Sequence, residues 1–445
     1  MPGKRRKPDG HPPAYPDPSG SRQEAQVAAI MRHYGHCVEP GPADWREVGI
    51  HYFVRREVLL IPIEHSRKAR RKLARMPGVD AVERLRPDPD APEDGTISYG
   101  LEWVRLKPGT SVHAALAWLA DAMPEIPEGE WGPEYLVDLA PNGTGTKCQG
   151  DEPTPVHPGT PPDPPVSCDP RAGLGIKVVV LDTGLDDQAL GFPWMAGVTG
   201  DPDPGIGNRQ PLAQYAGHGT FIAGLIRCVA PAAEVVVRAA FPPPGSEYAT
   251  TPLGFSFEKQ MVEAMEQTLA VDFPDVINLS AGTFVAPGGR LHYLNRFYER
   301  RWRRQKGTAL VAAAGNDGWR DPFHPAAEKW AVAAGSLAAN LRGRAWFSNH
   351  GGWVDAYAPG EGLVNVFPTG RLDYMEPPRI GNHANFTGLA RWSGTSFATG
   401  VITGLVAARM SRTGENGPDA ASAVIAKARK AAIPGVGAVA LPWLG

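Results

Sequence analysis

Three residues of this chain have the types and the order needed for nucleophilic hydrolysis: Asp182, His218 and Ser396. Each lies in a short glycine-rich segment. A serine hydroxyl is a weak nucleophile near neutral pH and needs a base within hydrogen-bond reach. A carboxylate then fixes the tautomer of that base and stabilises its charged form. The three residue types therefore predict a hydrolase in which a serine attacks a carbonyl carbon.

Asp182 and His218 lie where their predicted elements would expose them. Asp182 follows the apolar run Val178–Leu181, which predicts a strand, and Gly184 turns the chain after it. A carboxylate at the carboxyl edge of a parallel sheet faces the crevice where ligands bind. His218 begins a predicted helix between Gly217 and Gly219, which leave space around its ring. Alone, these residues would be typical of an ordinary turn and of a capping or packed histidine.

Ser396 lies at the N-terminus of another predicted helix, after Gly394. The helix dipole and the free backbone N–H groups favour a developing negative charge there. A serine N-cap is the simpler interpretation of a lone serine at this position. Asn316 follows the predicted strand that ends at Ala314 and offers an amide donor for an oxyanion. An asparagine in a left-handed turn is the alternative, but its place between His218 and Ser396 favours the donor role.

Taken in this order and in these contexts, the segments resemble the subtilisin-like serine protease family, the subtilases. The resemblance covers residues 171–445 and implies a serine endopeptidase with an Asp182, His218, Ser396 triad. It implies that Asn316 completes the oxyanion hole. It also implies that Ser280, Ala281 and Gly282 belong to the strand that pairs with the substrate backbone and lines its first specificity pocket.

The chain departs from the family pattern at two positions. Phe221 replaces a second histidine that members often carry after the catalytic one, and we expect it to pack rather than to react. Gly400 replaces a proline four residues after the serine. Since glycine destabilises a helix by up to about 1 kcal/mol against alanine, we expect a looser start of the helix without loss of the chemistry.

An α/β fold is predicted for the C-terminal part, with helices on both faces of a parallel sheet. Runs rich in Val and Ala between helices are typical of strands that are buried on both faces, and the subtilase resemblance implies the same architecture. The predicted strands are Ile176–Leu181, Glu234–Ala239, Val276–Leu279, Ala309–Ala314 and Trp330–Gly335. The predicted helices are His218–Cys228, Glu258–Ala270, Thr395–Met410 and Ala420–Ala431.

A small α+β domain is predicted to precede it. Strand patterns at 56–63, 79–85, 97–106 and 135–139 alternate with helix patterns at 66–76 and 111–123. Their β-α-β-β-α-β order predicts a ferredoxin-like fold. Propeptides of subtilases have this fold and act as folding chaperones and inhibitors, which implies a propeptide-like role. An unrelated α+β module is the alternative.

Four parts are therefore expected along the chain. They are a polar N-terminal tail (1–49), the ferredoxin-like domain (50–140), a linker (141–170) and the catalytic domain (171–445). The linker holds nine prolines and four glycines, which is typical of an extended or disordered segment. It is long enough to cross an active-site groove.

Composition limits the classes of partner. The formal net charge is −2, so no strong field favours nucleic acid or an acidic membrane surface. No run approaches the 18–20 apolar residues of a membrane span, and no apolar segment follows the basic start, which predicts a cytoplasmic protein. The four cysteines form no metal-ligand pattern. Arginine supplies 33 of the 45 basic residues, a bias that is typical of GC-rich bacterial genomes.

The expected partner is a polypeptide substrate, and we expect the chain to be a monomer. No cofactor is predicted. Subtilases often bind structural calcium, but no oxygen-rich loop in the sequence allows its ligands to be assigned. The segment Arg290–Lys306 carries seven basic residues among aromatic ones. It predicts an amphipathic surface helix whose aromatic side packs, with binding of an acidic partner as the alternative.

Two further functions stay open at this point. In the first, the chain is a latent protease whose residues 50–170 stay attached and occlude the groove until a regulatory protein displaces them. In the second, the chain is an esterase on the same scaffold, which turnover of peptide against ester substrates would distinguish.

Overall fold

The computed structural model describes residues 30–31, 34–77, 83–84, 99–127, 129–139, 152–207, 211–241, 254–376 and 378–443. Within these residues the chain forms two seven-stranded sheets and two smaller ones. One large sheet is parallel and belongs to the C-terminal part of the chain. The other is antiparallel and draws strands from both parts.

The parallel sheet has the strand order β15-β14-β13-β11-β7-β9-β8. Its interior strand β7 sends Val178 and Val180 to one face, and Val179 and Leu181 to the other. All four side chains are buried. The strands are β7 (Lys177–Asp182), β8 (Thr199–Gly200), β9 (Glu234–Ala239), β11 (Val276–Leu279), β13 (Ala309–Ala313), β14 (Ala331–Leu337) and β15 (Ala356–Pro359).

Helices cover both faces of this sheet. One face packs against α4 (His218–Val229), α7 (Thr395–Thr413) and α8 (Gly417–Lys430). The other packs against α5 (Glu258–Val271) and α6 (His292–Arg300). The α/β prediction is confirmed, and the four predicted helices of this part begin and end within three residues of the observed ones.

The antiparallel sheet has the order β10-β5-β2-β4-β3, with β1 on β2 and β12 on β5. Two helices, α2 and α3, pack on it. Its elements are β1 (Val38–Gly41), α1 (Trp45–Val48), β2 (Tyr52–Pro62), α2 (Ile63–Leu73), β3 (Glu83–Arg84), β4 (Leu101–Arg105), α3 (Val112–Ala122), β5 (Gly132–Leu139), β10 (Phe255–Phe257) and β12 (Ala281–Gly282). From β2 to β5 the element order is β-α-β-β-α-β. The assignment to the ferredoxin-like class and the propeptide-like role stay predictions that these pairings support.

The predicted polar tail differs from the observed structure. Strand β1 lies inside the range 1–49 and pairs with β2. Ile30, Tyr34 and Val38 are buried against Phe53 in a small apolar cluster. The polar composition of the first residues concealed these widely spaced apolar side chains. The sequence pattern at 23–34, which predicts a short helix, lies mostly outside the described residues.

The described part of the predicted linker lies along the catalytic domain. Strand β6 (Thr154–Pro155) pairs with β19 (Leu389–Trp392), which also pairs with β16 (Leu363–Val366). The hydroxyl of Tyr374 donates to the carbonyl of Pro153 at 3.0 Å. The remaining strands, β17 (Gly370–Asp373) and β18 (His383–Phe386), form a two-stranded sheet. A proline-rich segment can dock in this way because an edge pairing needs few N–H donors.

Candidate active site

Asp182 and His218 form a hydrogen-bonded pair that is fully buried. Nδ1 of the His218 ring lies 2.8 Å from Oδ1 and 2.9 Å from Oδ2 of Asp182. In the tautomer that carries its proton on Nδ1, this proton is shared between the two oxygens and Nε2 can act as a base. The pair therefore has the geometry that orients an imidazole for general-base catalysis.

The fold brings the pair together at the carboxyl edge of the parallel sheet. Asp182 is the last residue of β7 and His218 the first residue of α4. Gly217 has a left-handed backbone, with φ of 80°, which a side chain would strain. A β-carbon at Gly219 would lie 3.0 Å from Cβ of Asp182 and 2.7 Å from the Gly184 carbonyl oxygen. Glycines are therefore required where the helix start meets the strand end.

Aromatic rings enclose the imidazole of His218. The ring centroids of Trp392 and Phe397 lie 5.3 Å and 5.6 Å from its own. Phe221 packs 4.6 Å from Phe397 and is fully buried, as expected for a residue that packs rather than reacts. These rings shield the imidazole from water and hold its plane.

Ser396 and Asn316 lie side by side at the start of α7. The Asn316 side-chain oxygen accepts from both the N–H and the hydroxyl of Thr395, each at 2.9 Å. This turns its amide nitrogen, Nδ2, away from Thr395. Among the described residues neither that nitrogen, nor Oγ of Ser396, nor Nε2 of His218 has a hydrogen-bond partner, although all three atoms are buried. A catalytic role is one explanation for an unpartnered buried polar atom, and here three such atoms belong to residues that the sequence predicts to be catalytic.

Ser396 and His218 are not hydrogen-bonded to each other in this structure. Catalytic hydrogen bonds are often long in ligand-free enzymes and tighten when the substrate binds. Helix α7 itself begins at Thr395 and runs unbroken through Gly400 to Thr413. The looser helix start expected from Gly400 therefore stays a prediction.

The predicted substrate strand is occupied by another part of the chain. Ala281 and Gly282 form β12, and β5 pairs with it antiparallel, Leu139 opposite Ala281 and Asp138 opposite Gly282. Ser280 precedes this strand, and its hydroxyl donates to the Ser396 carbonyl at 3.4 Å. Of the three residues predicted to bind substrate, Ser280 thus contacts Ser396, and Ala281 and Gly282 follow it along the chain.

Asp203 is a buried carboxylate of the site that the sequence reasoning missed. It accepts hydrogen bonds from the Gly217 N–H at 2.7 Å, the Thr183 hydroxyl at 2.7 Å and the Gly205 N–H at 2.8 Å. Burial raises the pKa of Asp203 to about 6, and the nearby charge of Asp182 adds to this rise. Because Gly217 precedes His218 and Thr183 follows Asp182, Asp203 ties together the two loops that carry the pair.

No local signal in the sequence indicates this role for Asp203. Its context of alternating Asp and Pro is typical of an ordinary turn. The contact to Gly217 joins residues 14 positions apart, and only the folded loop brings them together.

Metal-binding clusters and membrane-spanning helices are absent from the described residues. No group of three or more His, Cys, Asp or Glu side chains there could hold a metal ion. No helix in that part of the chain is long and apolar enough to cross a bilayer.

The parallel sheet and the arrangement of Asp182, His218, Asn316 and Ser396 are those expected from the resemblance to subtilases. Comparison with known proteins agrees with this class. Residues 173–437 match the subtilase family, peptidase family S8. Because the match extends over more than half of the chain, the protein belongs to the subtilase family.

Curated relatives are found in fungi. Subtilisin-like protease 2 of Trichophyton equinum is 31% identical over 299 residues, which are 66% of this chain and 62% of that protein. A subtilisin-like proteinase of Magnaporthiopsis poae is 32% identical over 250 residues, 53% of this chain and 54% of that protein. The chain thus spans under two thirds of these relatives. They give no support to the bacterial origin expected from the arginine bias.

A solved structure extends the likeness beyond the catalytic domain. Fervidolysin from Fervidobacterium pennivorans, described as a keratinolytic enzyme related to subtilisin, superposes with a TM-score of 0.53 at 18% identity. The superposition covers 87% of this chain and 60% of fervidolysin. At this identity the likeness shows the fold alone.

Proposed function

We propose that the chain is a serine endopeptidase that hydrolyses peptide bonds of a polypeptide substrate. Oγ of Ser396 attacks the scissile carbonyl carbon, and Nε2 of His218 accepts the hydroxyl proton. His218 then returns this proton to the leaving amine, while Asp182 holds the ring and stabilises its charged form. Water hydrolyses the resulting acyl-enzyme through the same steps.

Charge on the carbonyl oxygen would be stabilised by two donors. These are Nδ2 of Asn316 and the backbone N–H of Ser396 at the start of α7. The support is that Nδ2 is buried, fixed by Thr395 and without a partner among the described residues. A preorganised donor of this kind costs no reorganisation when the oxyanion forms.

The observation that carries the proposal is the buried Asp182–His218 hydrogen bond beside three unpartnered atoms of Ser396, His218 and Asn316. Hydrolysis of a labelled protein substrate by wild type, Ser396→Ala and Ser411→Ala tests it. Ser411 lies on the same helix as Ser396, so its variant controls for the substitution. We expect Ser396→Ala to lower kcat on the order of 10⁶-fold and Ser411→Ala to retain activity. Measurable hydrolysis that is equal in wild type and Ser396→Ala would refute the mechanism.

We also propose that the N-terminal unit inhibits this site. The support is the position of β5, which pairs with β12 on one side and with β10 on the other, where an extended substrate would bind. Leu139 is buried and packs beside Tyr215, three residues before His218. The chain is next described at Glu152, whose carboxylate accepts from the Met375 N–H at 2.8 Å.

The described segment that ends at Leu139 and the one that begins at Glu152 both lie near Tyr215. Burial raises the pKa of Tyr215, and the charges of Asp138 and Glu152 both raise it further. The four catalytic residues are fully buried. In this arrangement a polypeptide substrate cannot reach β12 until β5 has left it.

Intact mass of purified wild type and Ser396→Ala separates the forms of inhibition. Loss of about 140–170 N-terminal residues in wild type alone would identify a self-processed propeptide. If both stay at full length, a serine-directed phosphonate probe distinguishes an open two-domain enzyme, which is labelled, from a latent protease, which is not. Labelling of the full-length chain without any partner would refute the inhibition. The regulatory partner, the monomeric state and the cytoplasmic location stay predictions.

A further inference from the structure

A groove of about 620 Å³ lies on the side of the molecule opposite the candidate active site. It is bordered by the first residues of β13 and β14, by the segment after α6 and by α8. Asp182 is the last residue of β7, and Asn316 follows the carboxyl end of β13. Since β13 has five residues at about 3.3 Å each, the groove and Asn316 are separated by about 16 Å of strand. Groove and active site are therefore distinct surfaces.

Aromatic side chains form one wall of the groove. Tyr298 stacks on Trp330 with ring centroids 5.5 Å apart, and Trp302 lies 5.1 Å from the same ring. Ile425 of α8 contributes an apolar side chain to the lining. Tyrosine and tryptophan are the residues that most often anchor a bound polypeptide.

The unbalanced charge of the groove is positive. Lys306, Lys329 and Arg429 line it and are exposed, and none of them forms an ion pair within the described residues. Two carboxylates share the lining: Asp355 accepts from the Ala333 N–H at 2.9 Å and interacts electrostatically with Arg429, and Asp419 accepts from the Asn416 amide at 2.8 Å. With Arg303, which pairs with Glu299, four cations of the lining stand against these two carboxylates. An excess of exposed cations beside an apolar wall attracts an anionic ligand that also carries apolar groups.

We propose that this groove binds an acidic segment of a partner polypeptide. Its carboxylates would pair with Lys306 and Lys329, and an apolar side chain of the segment would rest against Trp330 and Ile425. A polypeptide is favoured over nucleic acid because Tyr298 and Trp330 stack on each other, which covers one face of each ring that a base would use.

Fluorescence anisotropy tests this with the full-length Ser396→Ala chain, which cannot cleave the probe, so the result does not depend on peptidase activity. The probe is a fluorescein-labelled decapeptide of alternating Glu and Leu, and its control replaces Glu by Gln. At about 50 mM salt, where exposed charges are weakly screened, we expect the Glu peptide to bind at least about tenfold more tightly than the Gln peptide.

Charge reversal locates the binding. Lys306→Glu with Lys329→Glu is expected to weaken binding of the Glu peptide at least about tenfold. The matched control, Arg342→Glu with Arg412→Glu, changes two exposed cations outside the groove and is expected to leave the affinity unchanged. Equal affinity for both peptides, equal effects of both double variants, or tighter binding of a ten-nucleotide oligothymidylate would each overturn the proposal. Thermal unfolding of each variant confirms that it is folded.

Discussion

At the scale of single residues, the amide of Asn316 is fixed before any substrate arrives. Its oxygen is held by Thr395, so its nitrogen has one available direction. This separates the two tasks of the side chain. One atom stabilises the start of α7, and the other is free for an oxyanion.

Asn316→Ala is expected to lower kcat by about 10²–10³ and to leave KM within about twofold, because the donor acts on charge that develops in the transition state. Steady-state kinetics on a peptide substrate measure both constants. Asn349→Ala is the control, since the amide of Asn349 donates to the Ala314 carbonyl at 2.8 Å and serves the structure. Equal kcat losses in both variants would show that the effect of Asn316 is merely structural.

Asp203→Asn is expected to lower kcat at least about tenfold, because one acceptor oxygen becomes an NH₂ group. Either the Gly217 N–H and the Thr183 hydroxyl, which share Oδ2, or the Gly205 N–H, which donates to Oδ1, then loses its partner. The pKa of Asp203 is raised to about 6, above its ordinary value of about 3.9. The folded state therefore binds more protons than the unfolded state between these values. The raised pKa of Asp203 therefore adds most to the free energy of unfolding below pH 4, and this added stability is lost as the pH rises to 6.

Urea unfolding of wild type and Asp203→Asn at several pH values checks the sign. The stability of wild type relative to the variant should fall as the pH rises from about 4 to about 6. A difference that does not change with pH, or one that increases, would contradict the assignment. Asp201→Asn is a suitable control because Asp201 is partly exposed and pairs with Arg238.

At the scale of elements, α7 packs against α4 through two glycines that have different surroundings. A β-carbon at Gly400 would lie 3.4 Å from Cγ2 of Ile222, which is ordinary contact. A β-carbon at Gly404 would lie 2.7 Å from Cβ of Val229. The first glycine is thus dispensable for packing, whereas the second sets the distance between the helices.

Gly400→Ala is expected to raise the free energy of unfolding by up to about 1 kcal/mol, since alanine is the better helix former. Gly404→Ala is expected to lower it by about 1–3 kcal/mol, because the helices must move apart. Urea unfolding measures both, and each variant controls for the other on the same helix. If both variants change stability in the same direction, the packing argument fails.

At the scale of the whole molecule, His292 of α6 is buried against Gly132 of β5, where a β-carbon would overlap its ring. Burial, together with the charges of Arg290 and Arg296, lowers the pKa of His292 to about 3. When β5 leaves, the burial is relieved and the pKa of the imidazole should rise toward its ordinary value of about 6.5. Protonation of His292 therefore favours the state in which β5 has left α6. The stability that His292 gives to the docking of β5 is greatest above pH 6.5 and is lost as the pH falls toward 3.

Hydrogen exchange of the β5 amides in the Ser396→Ala chain measures this docking. From pH 7.5 to 5.5 the opening constant, corrected for intrinsic exchange, should rise about tenfold more than in the same chain with His292→Asn. Burial raises the pKa of Glu258, which acts in the opposite direction, so only the difference between the two chains reports His292. Equal responses of both chains to pH would exclude the role.

The sequence by itself determined the family, the residues of the candidate triad, Asn316 and most elements of the catalytic domain. These predictions depend on local signals. Asp182, His218 and Ser396 each lie in a short segment in which glycines and apolar residues directly adjoin the candidate catalytic residue. The tertiary structure alone decided the contact of Asp203 with Gly217, the pairing of Leu139 with Ala281, and the groove between α6 and α8. Each of these features joins segments that are far apart in the chain. Hydrophobic periodicity reports only neighbouring residues, so such contacts depend on how the elements pack.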